Sequence, residues 1–225
     1  MPNDRFRADR ESVLLYSKRM WEAGLVVASA GNVSARVSGH SAIAITPTSI
    51  SYDVMTADQV VVVSLDSGLP IESKVRPSGE LPTHLAVYRH RQDVGAVMHT
   101  HAPYVSTLSV LRRPLPPIID EMIVYFGGTI EVAGYAFTGT DDLGANVVGA
   151  LGDRAGVLLS NHGNVCVGSD LAEALHVALT MESTARIYVE SLRTGDPVVL
   201  PEESLRAGRA MYEKLRRRPR YDNDS

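Results

Sequence analysis

His99-Thr100-His101 closes an apolar run, Gly95-Ala96-Val97-Met98, that reads as a buried strand. On a strand, side chains two apart project to the same face, so both imidazoles can converge on one point. A third histidine, His162, follows a second apolar run, in Ser160-Asn161-His162-Gly163-Asn164, where Gly163 would let the backbone turn sharply. Three imidazoles with one position left open suit a catalytic divalent ion, zinc by preference, with manganese or cobalt as alternatives. The open position would take water, substrate or a carboxylate, and Glu80, which starts a helix in a small-residue segment, is the candidate carboxylate. A lone His-X-His pattern has many structural explanations; a third histidine beside a glycine turns the balance towards metal. The other histidines read as supporting residues. His40 falls in an exposed turn, His90 on a solvated helix face and His176 inside a long helix. His84, one helical turn after Glu80, either packs or orients that carboxylate.

Three loops of small residues could hold an anion. Ser29-Ala30-Gly31-Asn32-Val33-Ser34 leads into a strand, Thr46-Pro47-Thr48-Ser49 leaves one, and Pro77-Ser78-Gly79 precedes a helix whose first amides are free. Together they offer hydroxyls, a carboxamide and backbone N–H groups, which cradle phosphate without a full positive charge. Each loop alone is ordinary turn vocabulary. No P-loop and no dinucleotide fingerprint is present.

The elements that must position these groups alternate loosely. Residues 9–23 place Val13, Leu14, Met20 and Trp21 on one helical face, with Gly24 as a stop. Val33–Val37, Ala42–Thr46 and Val60–Leu65 are strand-like, and Asp66-Ser67-Gly68 reads as a turn. A helix runs from Glu80 to about Arg91, with Pro82 tolerated in its first turn. Val94–His99 reads as a strand and Pro103–Leu111 as a helix. Tyr125–Glu131 passes through the Gly127-Gly128 turn into a further strand. A helix from Asp141 to Leu151, a short strand Val157–Ser160 and a long helix Leu171–Leu192 follow. The pattern is one α/β domain with a mixed or antiparallel sheet, because no regular βαβ spacing appears. From about Arg216 the tail is polar and would be ordered only by contact.

The 225 residues allow one substantial core, and 44% hydrophobic with 21% charged residues excludes a disordered chain. A net charge of −4 gives no field for nucleic acid or an anionic membrane. The Arg216-Arg217-Arg218-Pro219-Arg220 run is followed by Asp222 and Asp224 and reads as a solvated tail or subunit contact. One cysteine, Cys166, fits a reducing compartment, and neither a signal peptide nor a bilayer-spanning run is seen. A cytoplasmic location is expected.

Gly31-Asn32-Val33-Ser34, Thr46-Pro47-Thr48, Pro77-Ser78-Gly79-Glu80, His99-Thr100-His101 and Asn161-His162-Gly163 resemble, in order and spacing, the class II aldolase/adducin head family. The resemblance runs from about Arg10 to about Gly195. It implies a single three-layer α/β/α domain over residues 1–225 with a mainly antiparallel sheet. It also implies a homotetramer with active sites at subunit junctions. By this resemblance His99, His101 and His162 hold zinc, and Glu80 ligates the resting metal and then serves as general acid/base. Gly31, Asn32, Thr48, Ser49, Ser78 and Gly79 match positions that line the substrate phosphate. The family's tyrosines match less well. Asp120-Glu121 stand where the first is expected, leaving Tyr125 as its nearest counterpart. Tyr221 is the counterpart of the C-terminal one, with Tyr212 as a rival. Ser49 replaces a glycine of the aldolase, and Gly79 a serine of many members.

The activity implied is aldol cleavage of a ketose 1-phosphate, such as L-fuculose 1-phosphate or a 5-deoxypentulose 1-phosphate, to dihydroxyacetone phosphate and an aldehyde. Breaking a bond next to a carbonyl leaves an enediolate whose charge a Lewis-acid metal stabilises without a Schiff-base lysine. The three lysines, Lys18, Lys74 and Lys214, lie in charged surroundings. Epimerase, dehydratase or decarboxylase chemistry would use the same site. A non-catalytic adducin-like head would have no need of three histidines and Glu80.

Overall fold

In a computed structural model, residues 5–216 are described. Strands β1 (Asn32–Arg36), β2 (Ala42–Ile45), β3 (Val61–Ser64), β4 (Pro70–Glu72), β5 (Ala96–Thr100), β6 (Val132–Ala133), β7 (Gly156–Leu159) and β8 (Gly163–Gly168) form one sheet. Its order is β4-β3-β2-β1-β5-β8-β7-β6. Every neighbouring pair is antiparallel except β6 with β7, so the sheet is mixed but mainly antiparallel, as expected. The helices are α1 (Arg7–Glu22), α2 (Leu81–His90), α3 (Pro103–Leu111), α4 (Asp120–Phe126), α5 (Asp141–Leu151), α6 (Leu171–Thr194) and α7 (Glu202–Arg216).

Alternation along the central strand explains the three layers. In β5, Ala96 and Met98 join the core shared with α1, α3, α4 and α6, whereas Val97 joins the core under α2 and α5. All five β5 residues are buried, which is why the strand reads as a continuous apolar run rather than an alternating one. His99 follows the Val97 parity and so faces the α2 side. One core holds Phe6, Val13, Met20, Leu108, Phe126 and Met181; the other holds Leu85, Tyr88, Leu143, Val147 and Leu151. This is the expected α/β/α arrangement. Among the described residues no helix is long and apolar enough to cross a membrane.

Two local readings change. Tyr125 does not open a strand: it lies in α4, which Asp120 and Glu121 start and left-handed Gly127 ends, and the edge strand is confined to Val132–Ala133. Seven residues are too few to display a helical period against a propensity for strand. The turn before β8 is also made differently. Asn161 takes the left-handed conformation, φ 59°, while Gly163 begins the strand. Gly163 is needed for space, because a Cβ there would collide with the Thr100 carbonyl.

Helix α7 packs on α4 and closes the described chain. Its buried Tyr212 donates to the Asp153 carbonyl at 2.7 Å, and Gly208 lies against Ile123, where a Cβ would not fit. Most of the polar tail, Tyr221 included, lies outside the described residues.

Candidate active site

Three strands and one helix end bring the site together. His99 occupies β5 between Asn32 of β1 and Val165 of β8 in the antiparallel register. His101 follows β5 directly, held by its N–H to the Leu25 carbonyl at 3.1 Å. His162 is the last residue of the three-residue turn between β7 and β8. Ser109 of α3 clamps that turn, its carbonyl accepting from Asn161 N–H at 3.1 Å and its Oγ from His162 N–H at 2.9 Å. The ligand atoms of the three imidazoles all lie within 4.8 Å of one another. Their ring centroids are 4.6 to 4.9 Å apart, edge to face.

Glu80 is the N-cap residue of α2, with Pro82 in the first helical turn. Its side chain does not cap the helix. Oε2 stands 3.0 Å from His99 Nε2, and Oε1 3.3 Å from His162 Nε2. Asn32 Nδ2 donates to Oε2 at 2.7 Å, and the Thr138 hydroxyl donates to Oε1 at 2.5 Å. Burial works to raise the Glu80 pKa, but the charge and hydrogen bond of His99, the Thr138 donor and His162 together hold it far below the usual carboxylate range. Glu80 is therefore an anion.

The imidazoles fit a cation. His99 Nδ1 lies 2.9 Å from the Asn164 carbonyl, which can only accept, so Nδ1 carries a proton and Nε2 is turned towards the cluster. Burial disfavours charge on His99, yet Glu80, by charge and by hydrogen bond, raises its pKa. Glu80 thus draws positive charge to this point. Burial first, then the charges of His99 and His162, pushes His101 down to about 4. Burial and His99 lower His162 likewise. Neutral rings present lone pairs, and His101 Nε2 is only 2.8 Å from His99 Nε2. Converging nitrogens beside a carboxylate form the donor set that a divalent ion requires.

The three small-residue loops meet at the same edge. Thr46 N–H donates to the Val33 carbonyl and the Thr46 hydroxyl accepts from Val33 N–H. Thr48 N–H donates to the Arg76 carbonyl and Ser78 N–H to the Thr46 carbonyl, so the second and third loops pair about Pro47 and Pro77. Tyr52 ties the first loop down with a 2.8 Å bond to the Gly31 carbonyl. Thr48 and Ser49 are exposed with their hydroxyls 3.4 Å apart, Gly79 is exposed and Ser78 is buried. Ser49 is left-handed, φ 57°, which accounts for glycine as the alternative there.

Other expected residues stand elsewhere. Tyr125 packs edge-on against His176 of α6, ring centroids 4.5 Å apart, and is not part of the cluster around Glu80. His40 and His90 are exposed, as expected. Two participants were not legible as such. Thr138 was unmarked, because a threonine in a loop carries no signal until the fold places it on Glu80. His84 is fully buried and bonded to Asn32, a tie that its one-turn spacing from Glu80 only hinted at.

A model of the class II aldolase and adducin N-terminal domain matches residues 11–189. The 5-deoxy-D-ribulose 1-phosphate aldolase of Bacillus thuringiensis is 34% identical over 197 residues, covering 88% of this chain and 92% of that protein. The L-fuculose phosphate aldolase of Escherichia coli O6:H1 is 37% identical over 187 residues, covering 83% and 85%. A solved L-fuculose 1-phosphate aldolase superposes with a TM-score of 0.86 at 33% identity, covering 92% of this chain and 96% of that one. The converging histidines, the carboxylate between them and the match along most of the chain lead to one assignment: this chain belongs to the class II aldolase and adducin family.

Proposed function

We propose that this chain is a zinc-dependent aldehyde-lyase that cleaves a ketose 1-phosphate, of the L-fuculose or 5-deoxypentulose type, to dihydroxyacetone phosphate and an aldehyde. The observation that carries it is the position of Glu80, an anionic carboxylate 3.0 and 3.3 Å from two of three converging imidazole nitrogens. His99, His101, His162 and Glu80 would hold the ion. When bound, it supplies Lewis-acid stabilisation of the charge left beside the carbonyl as the carbon–carbon bond breaks. Manganese or cobalt could occupy the same donors.

The protein's own groups divide the remaining work. Thr48, Ser49, Ser78, Gly31, Asn32 and Gly79 present hydroxyls, one carboxamide and backbone amides to the phosphate. Asn32 has one amide N–H on Glu80 and keeps a second to offer. In the cleavage direction, the hydroxyl beside the broken bond must lose a proton and the carbon beside the ketone must gain one. Glu80 serves the carbon. Tyr221 from a neighbouring subunit, or Tyr125, serves the oxygen of the departing aldehyde. A homotetramer with sites at its junctions would bring Tyr221 across from the neighbouring subunit. The single buried cysteine supports a cytoplasmic location.

The test is release of dihydroxyacetone phosphate from a panel of ketose 1-phosphates, with and without chelator, with products identified by NMR. Metal-dependent release from at least one substrate is expected. Epimerised, dehydrated or decarboxylated products without cleavage would replace the aldolase by another reaction of the same site. Protein purified without chelator and devoid of metal would point to a non-catalytic head domain.

A further inference from the structure

Helix α2 and strand β1 face each other through a row of buried polar residues. Glu80, His84 and Tyr88 are spaced by four along α2 and lie on one helical face. Asn32 and Ser34 are spaced by two along β1 and lie on one strand face. The two sets interleave. The Tyr88 hydroxyl is 2.9 Å from Ser34 Oγ, and Ser34 Oγ is 2.6 Å from His84 Nδ1. His84 Nε2 bonds Asn32 Oδ1, and Asn32 Nδ2 bonds Glu80 Oε2 at 2.7 Å. Tyr88, Ser34 and His84 are fully buried and Asn32 is 3% exposed, so no water competes along the chain.

Donor and acceptor chemistry fixes the direction of every bond. The Glu80 carboxylate only accepts, so the Asn32 amide must turn its NH2 towards it. The reversed amide would set two acceptor oxygens against each other. Asn32 Oδ1 then faces His84 and only accepts, so His84 Nε2 carries the proton. In the neutral ring Nδ1 is an acceptor, which Ser34 satisfies by donating, and Ser34 in turn accepts from Tyr88. Burial keeps the ring neutral, pushing His84 down to about 3. Each of the five groups has one bond direction open to it, and the carboxylate at one end sets them all.

We propose that His84 is a positioning residue: held as its Nε2–H tautomer by Ser34 and Tyr88, it locks the Asn32 carboxamide and through it the orientation of the Glu80 carboxylate. An apolar side chain at position 84 would leave Asn32 free to rotate and Glu80 with an unsupported oxygen. The effect on turnover rests on Glu80 acting as the acid/base of the proposed reaction. The effect on orientation does not.

Both levels are tested on the full-length, metal-loaded protein. With 15N-labelled histidine, the His84 signals of the wild type should show Nε2 protonated and Nδ1 bare at neutral pH, and Ser34→Ala should shift Nδ1. The Asn32 side-chain amide should exchange slowly with solvent in the wild type and in His84→Gln, whose amide N–H can replace Nε2–H, but rapidly in His84→Leu. In turnover, His84→Leu should lower kcat about tenfold or more with metal content within about twofold. His84→Gln should recover most of that loss. A protonated Nδ1, equal effects of leucine and glutamine, or loss of metal in His84→Leu would overturn the proposal. Should the wild type cleave no ketose 1-phosphate, the functional reading fails and the tautomer and amide exchange still decide the positioning role. Should His84→Leu not fold, the wild-type tautomer and the glutamine variant decide it.

Discussion

Glu80 and His99 meet at 3.0 Å, Oε2 to Nε2, although one opens a helix and the other lies near the end of a strand in the middle of the sheet. The contact pairs an anion with a ring whose Nδ1 is already committed to the Asn164 carbonyl. It therefore fixes both where a cation is favoured and which nitrogen faces it.

Removing the carboxylate should abolish chemistry before it abolishes folding. Glu80→Gln keeps the shape but exchanges one accepting oxygen for a donor and loses the charge and the basicity. It should lower kcat by about 100-fold or more. Metal content and the unfolding midpoint, measured on the same preparations, separate lost chemistry from lost structure. Undiminished turnover would remove Glu80 from the mechanism.

The histidines should act together in holding the ion. His101→Gln removes one of three nitrogens and should weaken zinc binding by about 100-fold or more, read by competition with a chromophoric chelator. Because His101 is held down to about 4, that ligand should stay neutral through mildly acidic pH, and His99, whose pKa Glu80 raises, is the imidazole at which protons should first compete with the ion.

Thr138 should matter for rate and little for stability. The residue is exposed, and its hydroxyl donates to a charged oxygen of Glu80. Thr138→Val should cost about tenfold in kcat, about 1.4 kcal/mol of transition-state stabilisation, with thermal unfolding almost unchanged. A large drop in melting temperature would assign it a structural role instead.

Gly31 should be intolerant of any side chain. Its φ is +71°, and a Cβ would come within 2.6 Å of both the His99 carbonyl oxygen and Val26 Cγ1. Gly31→Ala should destabilise by about 2–3 kcal/mol and displace His99. Gly24→Ala is the control: φ is +74° but nothing lies within 4 Å, so only the backbone cost of about 1 kcal/mol should remain. Urea unfolding of the two variants distinguishes strain from collision.

Stability should fall with acid partly through His84. Burial first, then the charge of His99, lowers its folded pKa from 6.5 to about 3 against the opposing influence of Glu80. Below 6.5 the unfolded chain takes a proton that the folded ring refuses, so the contribution is full above 6.5 and declines as pH falls towards 3. Urea midpoints between neutral pH and pH 4 should fall less steeply for His84→Gln than for the wild type. Parallel slopes would mean that His84 titrates normally in the folded protein.

Much of this site was determined locally. The two-residue spacing of His99 and His101, the buried run before them, the small-residue loops and the helix opening at Glu80 each follow from near neighbours in sequence, and the fold keeps them all. Tyr125 shows where local reading gives out, since seven residues of α4 hold too little periodicity to announce a helix. What only the tertiary structure decided is which groups meet. Asn32 reads as a phosphate ligand by its loop, yet its carboxamide is engaged at both ends, by Glu80 48 residues away and by His84 52 residues away. Thr138 reaches Glu80 across 58 residues. Hydrogen bonds of that span carry no periodic signature, because they depend on the register of β1 against β5 and on the seating of α2 over the sheet. The types of donor were written in the chain; their partners and bond directions came from packing.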